Sequence, residues 1–177
     1  AGNPGSNPKD MEFFQEMKKV SLKNSKLAAF GSTRRKDIKC AEDVNLQSLL
    51  AAGTEYVVIF GKSWTFQVTE ILKTTLEENL LMIKDTCQFL RENGRKVIYD
   101  AEHFFTGFAS DPEYALKSLE AAVEGGAETL ALCETKGGCM IKDCENAVKA
   151  AVERIGCRAK IGIHTHNDCG LAVANSV

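Results

Sequence analysis

The chain of 177 residues is 44% hydrophobic and 26% charged, with a formal net charge of -2. That profile suits one globular domain with a real core, and it gives no electrostatic reason to expect nucleic acid or an anionic membrane surface as a partner. No apolar run approaches the roughly 18 residues of a membrane span, and Ala1 to Asp10 lacks the basic and apolar regions of a signal peptide, so a cytoplasmic location is expected.

In chain order, Pro8 to Val20 reads as a helix, with the strand before it represented only by Ala1-Gly2. Lys26 to Phe30 (KLAAF) is the first clear strand, followed by a polar loop and a short helix around Asn45 to Ala52. Tyr56 to Phe60 (YVVIF) is nearly all apolar, the pattern of a parallel strand covered on both faces. Thr75 to Asn93 carries Leu76, Leu80, Ile83, Cys87 and Leu90 at helical steps, and Gly94 stands where a glycine cap is expected. Lys96 to Asp100 (KVIYD) is a strand, and Asp111-Pro112 opens a helix that runs to about Glu124. Thr129 to Cys133 is a strand, Asp143 to Arg154 a helix, Lys160 to His164 a strand and Leu171 to Val177 a helix cut short.

A strand-plus-helix rhythm gives a parallel sheet, either doubly wound or closed as a barrel. Polar residues stand at or just past several strand ends: Lys62 and Ser63, Glu102 and His103, Glu134 and Thr135, His164 and His166. Chemistry spread over many strand ends is a barrel habit, whereas an open sheet gathers it at one switch point. The expected fold is therefore α/β, a (β/α)8 TIM barrel. A full barrel takes roughly 250 residues, so residues 1–177 are expected to be an excerpt, with five whole strands and part of a sixth.

The strongest motif is His164-Thr165-His166-Asn167-Asp168. On extended backbone, His164 and His166 share a face while Thr165 points away, a geometry suited to one divalent metal. Two buried hydrogen-bonding histidines would give the same pattern. Glu102 could be a ligand, a base or a substrate acceptor, or it could cap the next loop. In Glu134-Thr135-Lys136-Gly137-Gly138, Thr135 offers a hydroxyl and the glycines allow close backbone approach. Arg34-Arg35 reads either as an anion contact or, by preference, as a basic surface pair. Gly61-Lys62-Ser63 resembles the end of a P-loop, but the first glycine of that motif is replaced by Tyr56, and no GxGxxG follows a strand. The seven cysteines, Cys40, Cys87, Cys133, Cys139, Cys144, Cys157 and Cys169, include no CxxC pair and are expected to be mostly reduced core thiols rather than a zinc cluster, since even the closest grouping, Cys133, Cys139 and Cys144, has no zinc-motif spacing.

HTHNDCGLAVAN, from His164 to Asn175, resembles the second signature of the acetyl-CoA-dependent 2-oxo-acid condensing enzymes, the isopropylmalate, homocitrate and citramalate synthases of the DRE-TIM metallolyase superfamily. PGSNPKDMEFF, AFGSTRRK, IFGKSW, TTLEENL, VIYDAEHFFTG and LCETKGG are similar to the citramalate synthase branch, in collinear order over almost the whole chain. The resemblance implies an acyltransferase that condenses acetyl-CoA with a 2-oxo acid, pyruvate above all, in isoleucine or leucine biosynthesis. It implies a divalent metal ion (Mn, Mg, Co or Zn) on His164 and His166. It places Glu102 beside the oxo acid and Thr135 on its carboxylate, and has Asn167 and Asp168 hold the histidines in orientation; Arg34 joins the expected substrate contacts through the anion reading of Arg34-Arg35. A homodimer is the expected assembly, with no nucleic-acid or membrane partner.

By the same resemblance, residues 1–177 run from the end of the second strand to the start of the seventh helix. The family's opening arginine and aspartate motif then falls before Ala1, and its asparagine ligand and catalytic histidine after Val177. Asn3 stands where an aromatic residue is usual, and Glu134 and Lys136 replace the usual aspartate and asparagine. The longer Glu134 side chain is expected to disturb the substrate loop. The alternatives are a carbon–carbon lyase of the hydroxymethylglutaryl-CoA lyase type on the same scaffold, and an inert, unclosed barrel.

Overall fold

The computed structural model describes residues 2–177. Five apolar runs form five parallel strands: β1 (Ala28–Ser32), β2 (Tyr56–Lys62), β3 (Lys96–Glu102), β4 (Thr129–Glu134) and β5 (Lys160–Thr165). They lie side by side in chain order, β1-β2-β3-β4-β5. A doubly wound sheet reverses its order at a switch point. No reversal occurs here, and the strands are five successive β/α units of a (β/α)8 barrel.

Seven α-helices accompany them among the described residues: α1 (Pro8–Met17), α2 (Val44–Ala52), α3 (Leu76–Glu92), α4 (Phe104–Ser110), α5 (Pro112–Glu124), α6 (Ile141–Ile155) and α7 (Ala172–Ser176). Their starts follow side-chain chemistry. Thr75 accepts from the Glu78 N–H at 3.1 Å, and Asp111 accepts from the Tyr114 N–H at 3.0 Å. Asp43 caps α2 twice, accepting from the Asn45 and Leu46 N–H groups at 2.9 and 3.1 Å. Each cap contributes roughly 1 kcal/mol. Past α3, Gly94 has φ 76°, a conformation a side chain would resist.

Strand alternation divides the sheet into two faces. Val57, Ile59, Val97, Tyr99, Ala101, Leu130 and Leu132 are buried in one core with Leu46, Leu49, Ile83, Leu90 and Leu119 of the helices. Burying each such aliphatic side chain stabilises by about 1.5–3 kcal/mol. The alternate positions form the opposite face, where Phe30 stacks on Phe60 with ring centroids 5.2 Å apart. Gly61 belongs to the helix-covered face: a Cβ there would lie 2.8 Å from the ring of fully buried Tyr99. Its missing side chain makes room for Tyr99, which accounts for Gly61-Lys62-Ser63 without a phosphate.

Several boundaries differ from expectation. β1 begins two residues later than Lys26, and β2, β3, β4 and β5 extend one or two residues further, because the added positions are polar residues, glycine or alanine and do not read as strand. α1 ends at Met17 rather than Val20, and α6 begins at Ile141 rather than Asp143. α4 was not anticipated: it follows β3 after one residue, His103, and shares its short span with Gly107. Of the strand expected at Ala1-Gly2, Ala1 lies outside the described residues, while the Gly2 carbonyl accepts from the Phe30 N–H at 3.2 Å.

Candidate active site

The face of the sheet away from the helices carries the polar chemistry at its C-terminal end. Lys62, Asp100, Glu102, Cys133 and His164 occupy alternate strand positions on that face, followed by Thr135 and His166 just past the strand ends. Phe30, Phe60, Asp100, Glu102, Cys133, Thr135, His164 and His166 line one cleft of about 220 Å³. Four of the residues singled out from sequence, Glu102, Thr135, His164 and His166, thus meet in one place.

The His164 and His166 rings have centroids 5.2 Å apart. His164 Nδ1 lies 3.2 Å from Asp100 Oδ1, 3.4 Å from Asp100 Oδ2 and 3.6 Å from Cys133 Sγ. Asp100 and Cys133 are buried, whereas His164 opens to the cleft. Burial, and after it the Asp100 charge, pushes the Cys133 thiol well above its ordinary pKa, so it stands protonated.

Glu102 is paired with Lys62, its register partner on β2. Both side chains are largely covered, at 24% and 16% exposure. Thr135 Oγ1 accepts from the His103 N–H at 2.9 Å, so its own O–H remains to be donated. His103 takes φ 58°, left-handed backbone rare outside glycine. Burial lowers its pKa, and its ring sits against Trp64, over which Lys136 Nζ lies 4.6 Å from the ring centroid.

A scan of family models matches the HMGL-like model to residues 1–177. The chain belongs to the HMGL-like family. It is 53% identical over 176 residues to the (R)-citramalate synthase of Aquifex aeolicus and 48% identical to that of Sulfolobus acidocaldarius, in each case over 99% of this chain and 33% of the relative. The 2-isopropylmalate synthase of Campylobacter fetus is 29% identical over 100% of this chain and 33% of its own length. The chain therefore spans about a third of the length of the curated relatives it matches. Among solved structures, Bacillus subtilis HMG-CoA lyase has a TM-score of 0.73 at 18% identity, covering 93% of this chain and 53% of that one, a likeness of fold.

In this member of the HMGL-like family, the other residues expected at the site stand elsewhere. Arg34 is not a surface cation: it is buried, with Nε and Nη2 donating to Asp85 and Nη1 to Glu78. Its fork is occupied by the Asp85 and Glu78 carboxylates, and Arg34 does not line the histidine cleft. Asn167 Oδ1 accepts from the Ala172 N–H at 3.1 Å, so it holds the start of α7 rather than an imidazole. Asp168 packs against Gly137, where a Cβ would come within 2.1 Å of its Oδ2. β5 ends at Thr165, so both residues belong to the turn that follows the strand. Glu134, on the helix-covered face, does not reach the cleft. It lines a separate cavity of about 460 Å³ with Phe105, Phe108 and Met140.

Sequence reasoning missed Asp100. It sits in the quoted run VIYDAEHFF two positions before Glu102, on the same face, and that alternation was the signal that could have found it. All seven cysteines are free thiols; Cys87, Cys133 and Cys144 are buried, but Cys157 and Cys169 are exposed rather than core. No helix among the described residues is long and apolar enough to cross a membrane.

Proposed function

We propose that this chain is the central part of the catalytic barrel of an acetyl-CoA-dependent acyltransferase that condenses acetyl-CoA with pyruvate to citramalate. In that barrel, residues 1–177 extend from the end of the second strand to the start of the seventh helix. The observation that carries the reading is the shared cleft of His164, His166, Glu102 and Thr135, in a chain 41–53% identical to proteins named (R)-citramalate synthase.

The donor set fits a divalent ion: two neighbouring imidazoles that both line the cleft, with a carboxylate bonded to the back of one ring. His164 and His166 would hold manganese, magnesium, cobalt or zinc, which supplies Lewis-acid polarisation of a 2-oxo group. Thr135 donates its free O–H to the carboxylate of the oxo acid. Glu102, its carboxylate fixed by Lys62, forms one wall and orients pyruvate. Phe30 and Phe60 keep water from the opposite side. Arg34 is left out of this substrate set because its donors are taken. The reading extends to a cytoplasmic homodimer acting in branched-chain amino acid biosynthesis; light scattering on the eluted protein tests the assembly.

The function is tested by thiol release from acetyl-CoA with pyruvate, 2-oxoisovalerate or 2-oxoglutarate, each with manganese and with chelator. Chelator-sensitive release with pyruvate, and citramalate among the products, is the expected result. Formation of acetyl-CoA from a hydroxyacyl-CoA instead would move the assignment to a carbon–carbon lyase.

A further inference from the structure

We propose that Asp100 is a positioning residue that fixes the tautomer of His164, keeping hydrogen on Nδ1 and leaving Nε2 as the nitrogen that meets a divalent cation. The inference rests on the metal reading above and adds to it a residue outside the histidine motif. Asp100 lies two strands away from His164 and 64 positions earlier in the chain.

Asp100 is 6% exposed, and among the described residues the only nitrogen within hydrogen-bond distance of its carboxylate is His164 Nδ1, at 3.2 and 3.4 Å. An ionised carboxylate only accepts, and burying it without a donor is costly. The contact is therefore favourable only when Nδ1 bears a hydrogen. A neutral imidazole then has one lone pair left, on Nε2, and that nitrogen alone is free to act as a ligand. His166 lies on the same side of the chain two residues on; of the neighbours in sequence, Asn167 bonds to the start of α7 and Asp168 packs against Gly137. No other carboxylate is bonded to either ring among the described residues. The buried acid of β3 thus does for His164 what its sequence neighbours do not.

A competing arrangement uses the same atoms. Asp100, Cys133 and His164 each offer a ligand atom, all within 4.8 Å of one another, so a cation could sit among them on Nδ1 with sulfur bound. The two arrangements exclude each other, because Nδ1 either carries hydrogen or binds metal.

The test combines nitrogen-15 NMR of the metal-free full chain with metal titrations of wild type, Asp100→Asn, Asp100→Ser and His166→Ala. Wild type is expected to show His164 in the Nδ1–H form, and both Asp100 variants, checked for a native circular dichroism spectrum, are expected to lose it. Affinity for manganese should fall about 10–100-fold in the Asp100 variants and further in His166→Ala. The cobalt complex should lack thiolate-to-metal charge-transfer absorption. An Nε2–H tautomer in wild type, unchanged affinity in both Asp100 variants, or a cobalt–thiolate band would overturn the proposal. If wild type binds no cation yet shows the Asp100-dependent tautomer, the metal reading fails and the role of Asp100 in setting the ring stands.

Discussion

Arg34, in the connection after β1, and Asp85, on α3, share a two-pronged contact: Nε and Nη2 donate to the same carboxylate oxygen at 3.2 and 2.9 Å. Nη1 continues the network to Glu78 at 2.7 Å, and the Arg34 N–H donates to Thr86 Oγ1 at 2.9 Å. A planar fork of donors bridges two turns of α3, which a lysine cannot do. Arg34→Met is expected to cost about 2–3 kcal/mol, below the roughly 3–5 kcal/mol of a fully buried pair because water reaches Asp85. Arg34→Lys should recover less than half. Urea denaturation measures both, and a loss confined to KM with unchanged stability would return Arg34 to the substrate set.

Thr135 separates a hydroxyl's two functions. Its oxygen accepts from His103, and its hydrogen is the part proposed to meet the oxo acid. Thr135→Val is expected to raise KM for pyruvate about 10-fold or more, the worth of a hydrogen bond to a charged group, while Thr135→Ser stays near wild type. Initial rates across pyruvate concentration decide it. Equal damage in both variants would mean the methyl group, not the hydroxyl, is what matters.

His103 supplies a pH dependence whose sign is fixed. Burial lowers its pKa below the ordinary value of about 6.5, so the folded chain binds that proton less readily than the unfolded one. The contribution to stability is present above pH ~6.5 and is lost as pH falls through the lowered folded value. Melting temperature should therefore drop between pH 7 and pH 5, and His103→Asn should flatten that slope. Asparagine also tolerates the left-handed backbone at this position. An identical slope in the variant would assign the acid sensitivity to other groups.

Gly137 combines φ 67° with a neighbour no Cβ could accommodate, Asp168 Oδ2 at 2.1 Å. Gly137→Ala should force the loop after β4 away from the turn after β5, where the Cys169 N–H donates to the Gly137 carbonyl at 2.9 Å. The expected cost is about 1–3 kcal/mol, with faster amide exchange at Cys169. Unchanged exchange there would show that the two segments move independently.

The apolar strands were legible because buried parallel strands leave a strong local signature, as in Tyr56 to Phe60. Asp111-Pro112 and Gly94 marked their helix ends correctly, since caps act within a few residues. The histidine pair was legible from strand alternation alone. What sequence did not show depends on partners far along the chain. Asp100 matters through His164, Arg34 through Asp85 and Glu78, and neither distance is written locally. Glu134 was expected to crowd the substrate loop, but alternation sends it to the helix side, one position out of step with Thr135.

The Lys62–Glu102 pair has a consequence for assembly of the sheet. The two residues are direct register partners at the end of the β2–β3 ladder, where the backbone pairs Tyr56 with Lys96 at the other end. Sliding β2 by one place would turn Lys62 toward the apolar helices and Val57 and Ile59 toward the cleft. Sliding by two would keep the faces but strand both charges away from each other in a half-closed setting. The pair therefore works as an alignment mark: only one pairing of these strands neutralises both charges, and it is the pairing that brings the cleft together.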